Sequence, residues 1–285
     1  MFIHGLRSEP LLNKEENVMK DLKKVLALVL ITVMAACMLA ACGGSKQEAA
    51  PADDGADAAP AEEAAHYVIA TDKGFSPFEF EDEKGNIVGI DMDILAAIAE
   101  DQGFEYNMMN VGFDPALAKV QAGQADAVIA GMTITDERKL VFDFSDGYFE
   151  DGQVLVVAAN SDIDSIEDLK GKVVATKNGT MGAKYAKENK DKYGYTVKAF
   201  EGSNEQYQAI LNGNCVACFE DYTVIGDAIR NGIKLKTVGE KINPSYYGFA
   251  VKKGKNAELV KMFNEGLKNI KANGKYDAIL AKYGL

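Results

Sequence analysis

From His66 onward, short apolar runs alternate with stretches of helical spacing, and this alternation limits the fold more than any other feature. The runs 67–71, 105–110, 125–129, 154–158, 172–176, 197–200, 215–219, 235–238 and 247–251 read as strands. Between them lie helical patterns over 90–102, 181–188, 204–211, 222–230 and 275–282. Asp114 and Pro115 read as N-cap and first helical residue of another helix, which ends near Gly123. Leu259, Met262, Phe263, Leu267 and Ile270 mark one more. Ser165 and Asp168 are spaced as a near capping box. Such alternation predicts an α/β fold, with parallel sheets covered by helices on both faces.

Residues 130–138, Ala-Gly-Met-Thr-Ile-Thr-Asp-Glu-Arg, join one of these strands to a short helical pattern. Thr135 is placed as N-cap, with Asp136 and Glu137 in the first turn. Arg138, the Thr133 hydroxyl and free backbone N–H groups then form a donor cluster suited to a carboxylate. Gly131 lets a ligand come close to the main chain. Taken alone, Arg138 is more often a solvated first-turn residue. A second strand–Gly–Thr–helix unit leaves free N–H groups at Gly179 and Thr180, which hints at two lobes of similar design. Ligands of open α/β sheets bind beyond the C-terminal ends of strands, where Asp72, Gly131, Lys177 and Asp221 fall.

The chain has 285 residues, 47% of them hydrophobic, enough for a large core in one or two domains. Its formal net charge is -12 and no Lys/Arg cluster falls on an expected face, which argues against a nucleic-acid partner. The N-terminus is a targeting segment rather than a folded part. Lys20, Lys23 and Lys24 precede an uncharged apolar run over 25–41, and Leu39-Ala40-Ala41-Cys42-Gly43 follows. Small residues before a cysteine resemble a bacterial lipobox, which implies cleavage before Cys42 and lipid on its sulfur. Cys37 fits that pattern less well, and a plain transmembrane anchor is the alternative. Residues 1–18 carry mixed charges that signal peptides rarely have, so Met19 reads as the start and 1–18 as a mis-called extension. Residues 43–65 are rich in Ala, Asp, Glu, Pro and Gly and read as a disordered tether.

Cys215 and Cys218 have C-x-x-C spacing, which invites a redox or zinc reading. They sit in an apolar run, with no second such pair and no nearby histidine, so both are expected in the core. As strand residues three apart they would point to opposite faces.

Several pieces together carry a family resemblance: residues 70–79, Gly89-Ile90-Asp91-Met92-Asp93, 130–138, Asp143 to Tyr148 and the closing Asn273-Gly274-Lys275-Tyr276. In that order and spacing, residues 66–285 resemble the family 3 extracellular solute-binding proteins, the amino-acid receptors of bacterial ABC importers. The likeness is greatest to glutamine-binding members. It implies a bilobed type II periplasmic-binding-protein fold. Lobe 1 would be 66–150 plus 247–285 and lobe 2 would be 151–246, with crossings near 148–152 and 245–249.

The resemblance also implies a site between the lobes. Arg138 would pair with the ligand α-carboxylate, helped by N–H groups of Thr133 and Thr180 in turns that include Ala130 and Gly179. Asp221, the Gly131 carbonyl and the Thr133 hydroxyl would take the α-ammonium. Phe75 and Phe113 would wall the side chain, and Asp72 and Lys177 would address its polar end. This fits physical need, because a desolvated zwitterion requires an opposite partner for each charge. Two departures from the family pattern stand out: Met181, where small residues are common, and Val216, where Asp often precedes Ala. A carboxamide could accept from Lys177 and donate to Asp72, which points to glutamine.

The function expected from all this is a lipid-tethered, monomeric receptor on the extracytoplasmic face of a bacterial membrane. It would capture a polar amino acid and hand it to an ABC permease, with no cofactor and no metal. A dehydratase-like enzyme on the same scaffold is one rival, and Glu220 is the acid near the cleft left without a role. A sensory receptor subunit is another; with no second hydrophobic span, signalling would need a separate partner.

Overall fold

The computed structural model describes residues 65–285. The expected leader, Cys42 and the tether up to residue 64 lie outside the described residues. In chain order the first lobe contributes β1 (His66–Thr71), β2 (Gly74–Phe75), β3 (Glu79–Glu81), β4 (Ile87–Val88), α1 (Ile90–Gln102), β5 (Glu105–Asn110), α2 (Phe113–Gln121), β6 (Ala127–Val128) and β7 (Phe142–Phe144). The second contributes β8 (Phe149–Ala158), β9 (Val173–Lys177), α3 (Met181–Tyr193), β10 (Thr196–Phe200), α4 (Ser203–Leu211), β11 (Ala217–Asp221), α5 (Tyr222–Arg230) and β12 (Leu235–Tyr247). The chain then returns to the first lobe as β13 (Ala250–Lys252), α6 (Ala257–Ala272) and α7 (Lys275–Lys282).

Each lobe is built on a five-stranded sheet, ordered β5-β1-β6-β13-β7 in the first and β10-β9-β11-β8-β12 in the second, and the first adds a small antiparallel sheet β2-β3-β4. Strand alternation sorts side chains to the two faces. Ile69, Ala127 and Val251 join one core cluster, and Ala70, Val128 and Ala250 join the other. In the second sheet Val154 and Val156 face one side while Leu155 and Val157 face the opposite one. Both faces of both sheets are therefore apolar and covered, as the near-continuous hydrophobic runs require.

The expectation of parallel sheets is corrected. β1 is parallel to β5 and β6, and β9 is parallel to β10 and β11. β13 runs antiparallel to β6 and β7, and β8 antiparallel to β11 and β12. The cause is the double crossing: a strand that enters a sheet from the junction between lobes runs against its neighbours.

The two crossings lie side by side. Phe149, Glu150 and Asp151 of β8 pair with Tyr247, Tyr246 and Ser245 of β12. This ribbon makes both strands longer than the apolar runs 154–158 and 235–238 suggest. The register of β12 shifts around Ile242, next to Asn243 at φ 50.

α1, β5, α5 and α7 have the bounds expected of them. α1 stops where Gly103 adopts a left-handed conformation and its N–H reaches the Ala99 carbonyl. α1 packs on α6, whose Leu259, Phe263, Leu267 and Ile270 are buried at helical spacing. Other bounds move. α2 begins at Phe113 with Gly112, not Asp114, at the N-cap. α3 runs on to Tyr193, since its Lys-rich second half favours helix until Gly194. Residues 136–138 do not open an α-helix: only a 3₁₀ turn forms over Arg138–Leu140, although the Thr135 hydroxyl does accept the Arg138 N–H at 3.1 Å.

Cys215 and Cys218 are buried, at 2% and 0% exposure, and free. They do not face opposite sides, however. Cys215 precedes β11 rather than lying in it, so both join one core cluster. Burial raises the pKa of each thiol, which keeps it neutral.

Candidate functional site

Four strand ends meet where the lobes touch. From the first lobe come the loop after β1, the N-terminus of α2 and the segment after β6. From the second come the ends of β9 and β11. They enclose a narrow cavity, of about 20 Å³ in this closed arrangement, lined by Phe75, Phe113, Ala130, Gly131, Thr133, Arg138, Lys177, Thr180, Met181, Glu220 and Asp221. Nine of the eleven residues expected in a site thus share one cavity. Asp72 and Gly179 stand just outside its lining, each bonded to a cavity residue.

Gly131 adopts φ 51, and a side chain there would meet Phe75 Cε1 at 2.4 Å. The residue is therefore held small both by its backbone and by the ring above it. Its N–H donates to Asp91 Oδ2 at 2.8 Å, which fixes the cavity floor to α1. Phe75 and Phe113 stand as walls, and the Lys177 ammonium lies 4.7 Å from the Phe75 ring centroid.

The Arg138 guanidinium reaches across the junction. It donates to the Thr133 carbonyl at 2.6 Å and to the Gly179 carbonyl of the opposite lobe at 2.9 Å. Burial lowers its pKa to about 10, against the opposing influence of Asp221 and Glu137. Thr180 caps α3 through its hydroxyl, which accepts the Ala183 N–H and donates to the Lys177 carbonyl.

Asp221 is the N-cap residue of α5 by backbone position, but its side chain does not cap that helix. Instead it accepts from Tyr247 at 2.5 Å and from Gln153 at 2.9 Å. Burial raises its pKa, while the bonds from Tyr247 and Gln153 and the charge of Lys177 oppose the rise. Lys177 donates to Asp72 Oδ2 at 2.6 Å, with side chains 3% and 6% exposed. Burial works to lower the Lys177 pKa, but Asp72, Glu220 and Glu79 outweigh it and the net shift is upward. The expectation that Asp72 reaches into the site is thus refined: its carboxylate is engaged by Lys177 itself.

Further contacts join the lobes. Ser76 donates to Asp227 at 2.8 Å, and Lys184 pairs with Glu137. The described arrangement is a closed cleft.

Two lining residues fall outside the expected set. Met181 follows the α3 cap and narrows the cavity. Glu220 precedes Asp221, and strand alternation would send it to the other face; at the end of β11 both line the cavity. Glu220 accepts from Gln206, Tyr207 and the Asp221 N–H, and burial raises its pKa to about 7. Gln153 and Tyr247 could not be read from local sequence. Gln153 lies opposite Asp221 in the antiparallel β8–β11 pairing, and Tyr247 arrives with the second crossing. Among the described residues no cluster of His, Cys, Asp and Glu is arranged to hold a metal ion, and no helix is long and apolar enough to cross a membrane.

The family model described as bacterial extracellular solute-binding proteins, family 3, matches residues 67–285. A probable histidine-binding protein of Neisseria gonorrhoeae is 34% identical over 272 residues, covering 92% of this chain and 96% of that one. The ABC transporter glutamine-binding protein GlnH of Bacillus subtilis (strain 168) is 33% identical over 269 residues, covering 92% and 97%. The solved structure of an ancestral arginine-binding protein bound to arginine is 38% identical, covers 78% of this chain and 99% of that one, and superposes with a TM-score of 0.73. Two mixed sheets, two adjacent crossings and a polar cavity between the lobes are thus the frame of a known receptor type, and the chain belongs to the bacterial extracellular solute-binding proteins, family 3.

Proposed function

We propose that the protein captures a polar L-amino acid, glutamine in the first instance, in the cavity between its lobes and delivers it to an ABC permease. One observation carries the reading. Arg138 and Asp221 line a single cavity from opposite lobes, near enough for the Asp221 charge to oppose the lowering of the Arg138 pKa by burial. The α-carboxylate takes the place of the Thr133 and Gly179 carbonyls as partner of the guanidinium fork, with N–H groups at Thr133 and Thr180 beside it. The α-ammonium pairs with Asp221, which Gln153 and Tyr247 hold in position. Phe75 and Phe113 flank the ligand side chain, and Ala130 and Gly131 form the floor.

Glutamine is supported by the charges at the far end. Lys177 is balanced by Asp72, and Glu220 lies nearby with a raised pKa. A carboxamide accepts from Lys177 and donates toward Glu220. A second reading, arginine, rests on the same groups: two acids and one lysine leave an excess negative charge whenever Glu220 is ionised. The named relatives bind histidine, glutamine or arginine, so the choice among these is the point to test.

Ligand gains its full set of contacts only when both lobes meet, so binding shifts the protein toward the closed form. Micromolar affinity would correspond to roughly -8 kcal/mol. Attachment through a lipidated Cys42 and the tether would keep a monomer beside its permease, and Cys42→Ser should release it from membranes. The enzyme rival assigns Glu220 as a proton-transfer group; turnover of a prephenate-like acid by the pure protein would favour it. Calorimetric titration of the full chain with each of the 20 amino acids is the direct test. Tight binding of glutamine alone supports the first reading, tight binding of arginine the second, and no binding at all removes both.

A further inference from the structure

Behind the cavity floor lies a buried pair of acids that the binding scheme does not use. Glu79 on β3 and Asp91 in the first turn of α1 are both 0% exposed. Asp91 Oδ2 accepts two hydrogen bonds at 2.8 Å, one from the Gly131 N–H and one from the Tyr148 hydroxyl. Tyr148 leads into the first crossing, and its own carbonyl accepts from Tyr276 at 2.6 Å. The remaining oxygen, Asp91 Oδ1, and both oxygens of Glu79 have no other donor. With both carboxyls ionised, two negative charges would share a buried site with three acceptors that no protein donor reaches, which is costly. A single hydrogen between Glu79 and Asp91 Oδ1 removes one charge and satisfies two of the three oxygens.

We propose that Glu79 is a protonated positioning residue that donates its carboxyl hydrogen to Asp91. Asp91, held in this way, fixes the Gly131 N–H at the cavity floor and the Tyr148 hydroxyl at the crossing. One shared hydrogen therefore links ligand site to hinge. The charged and titratable groups facing Glu79 are Asp91 on α1, Tyr148 before β8, Asp72 after β1 and Lys177 on β9. Burial is the largest influence and raises Glu79 well above the ordinary glutamate range; Asp91 and Asp72 push the same way and Lys177 opposes. Asp91 is itself raised to about 6 by burial, against the bonds from Gly131, Tyr148 and Glu79. At neutral pH the pair thus carries one hydrogen, held by Glu79. The consequence for ligand affinity rests on the amino-acid reading of the cavity; the hydrogen itself does not.

Infrared spectroscopy of the full chain tests the hydrogen without any ligand. A protonated-carboxyl C=O band should persist above the pH of about 7 at which Glu220 ionises, far above the ordinary glutamate pKa of about 4.3. Glu79→Gln should abolish it. Asp91→Asn should shift it instead, because burial still keeps Glu79 neutral while its acceptor changes from a carboxylate to an amide carbonyl. Absence of the band in the wild type, its survival in Glu79→Gln, or an unshifted band in Asp91→Asn would overturn the proposal. The second arm is the dissociation constant of L-glutamine, L-arginine and L-histidine across the pH at which the band disappears. Relative to Glu79→Gln, which keeps a donor at every pH, the wild type should lose at least about tenfold in affinity on crossing that pH. Parallel profiles in the two proteins would sink the coupling. If no amino acid binds at all, the reading of the cavity fails, and the infrared arm still decides the shared hydrogen.

Discussion

At the residue scale the site is a set of charges that already have partners. Arg138 holds two carbonyls, Lys177 holds Asp72, and Asp221 holds Tyr247 and Gln153. Exchange with a zwitterion replaces neutral partners by charged ones and leaves the supporting bonds of Asp221 intact. Arg138→Ala should then weaken amino-acid binding by about 2–5 kcal/mol, the usual cost of removing one half of a buried charge pair. Its melting temperature should hardly move, since the residue is at the cleft and not in a lobe core. Calorimetry and a thermal melt check both halves, and retained affinity would remove Arg138 from the site. Lys177→Met leaves Asp72 buried without its cation, a defect of about 3–5 kcal/mol in the closed form. Glutamine should lose more affinity than alanine, which does not reach that end of the cavity. Equal losses would refute the assignment of side-chain selection to Lys177.

At the scale of elements, close approaches decide more than propensity does. Gly266 faces α1 so closely that an added Cβ would lie 2.7 Å from Ile98 Cγ2. Gly266→Ala should therefore destabilise the first lobe by about 1–3 kcal/mol through overpacking, even though alanine is the better helix former. Denaturant melts would show it, and a gain in stability would mean that α1 and α6 slide apart freely. Gly131→Ala should act on function instead: the new methyl displaces Phe75 from the cavity, and affinity should fall while the fold survives. Element types and most positions were legible because each apolar run or helical face is a local pattern. The misreadings were of reach. β8 and β12 extend beyond their apolar cores because they pair with each other, and α2 starts one residue before the Asp-Pro signal because Gly112 can take φ 97. The short 3₁₀ turn at Arg138 replaced an expected helix because the chain turns into β7 only a residue later.

At the scale of the whole molecule, buried acids set the response to pH. Asp91, Glu220 and Glu79 all have pKa values raised mainly by burial, to about 6, to about 7 and well above the usual range. The unfolded chain ionises these groups near their ordinary values, whereas the folded one keeps its hydrogens. The folded state binds more protons in that interval, so stability falls as pH rises from about 4 toward 7. Exposed carboxylates such as Asp82, Asp143 and Asp168 are lowered by hydrogen bonds and act in the opposite sense, losing their contribution as pH falls toward 3 or so. The melting temperature should accordingly peak at about pH 5 and be lower at pH 8. A maximum at pH 8 would show that the buried acids ionise on folding. Glu79→Gln should flatten the descending limb.

The sequence by itself determined the α/β class, the order of the elements, the core cysteines and nearly every residue that lines the cavity. The class, the order and the buried cysteines follow from local periodicity; the cavity residues follow in part from residue types at strand ends and otherwise from the family resemblance. Only the tertiary structure decided which partners those residues keep. Lys177 meets Asp72, Arg138 meets Gly179, and Gln153 and Tyr247 support Asp221 across separations of 105, 41, 68 and 26 residues. A hydrogen bond depends on distance in space, and the double crossing between lobes sets that distance in a way no local pattern encodes.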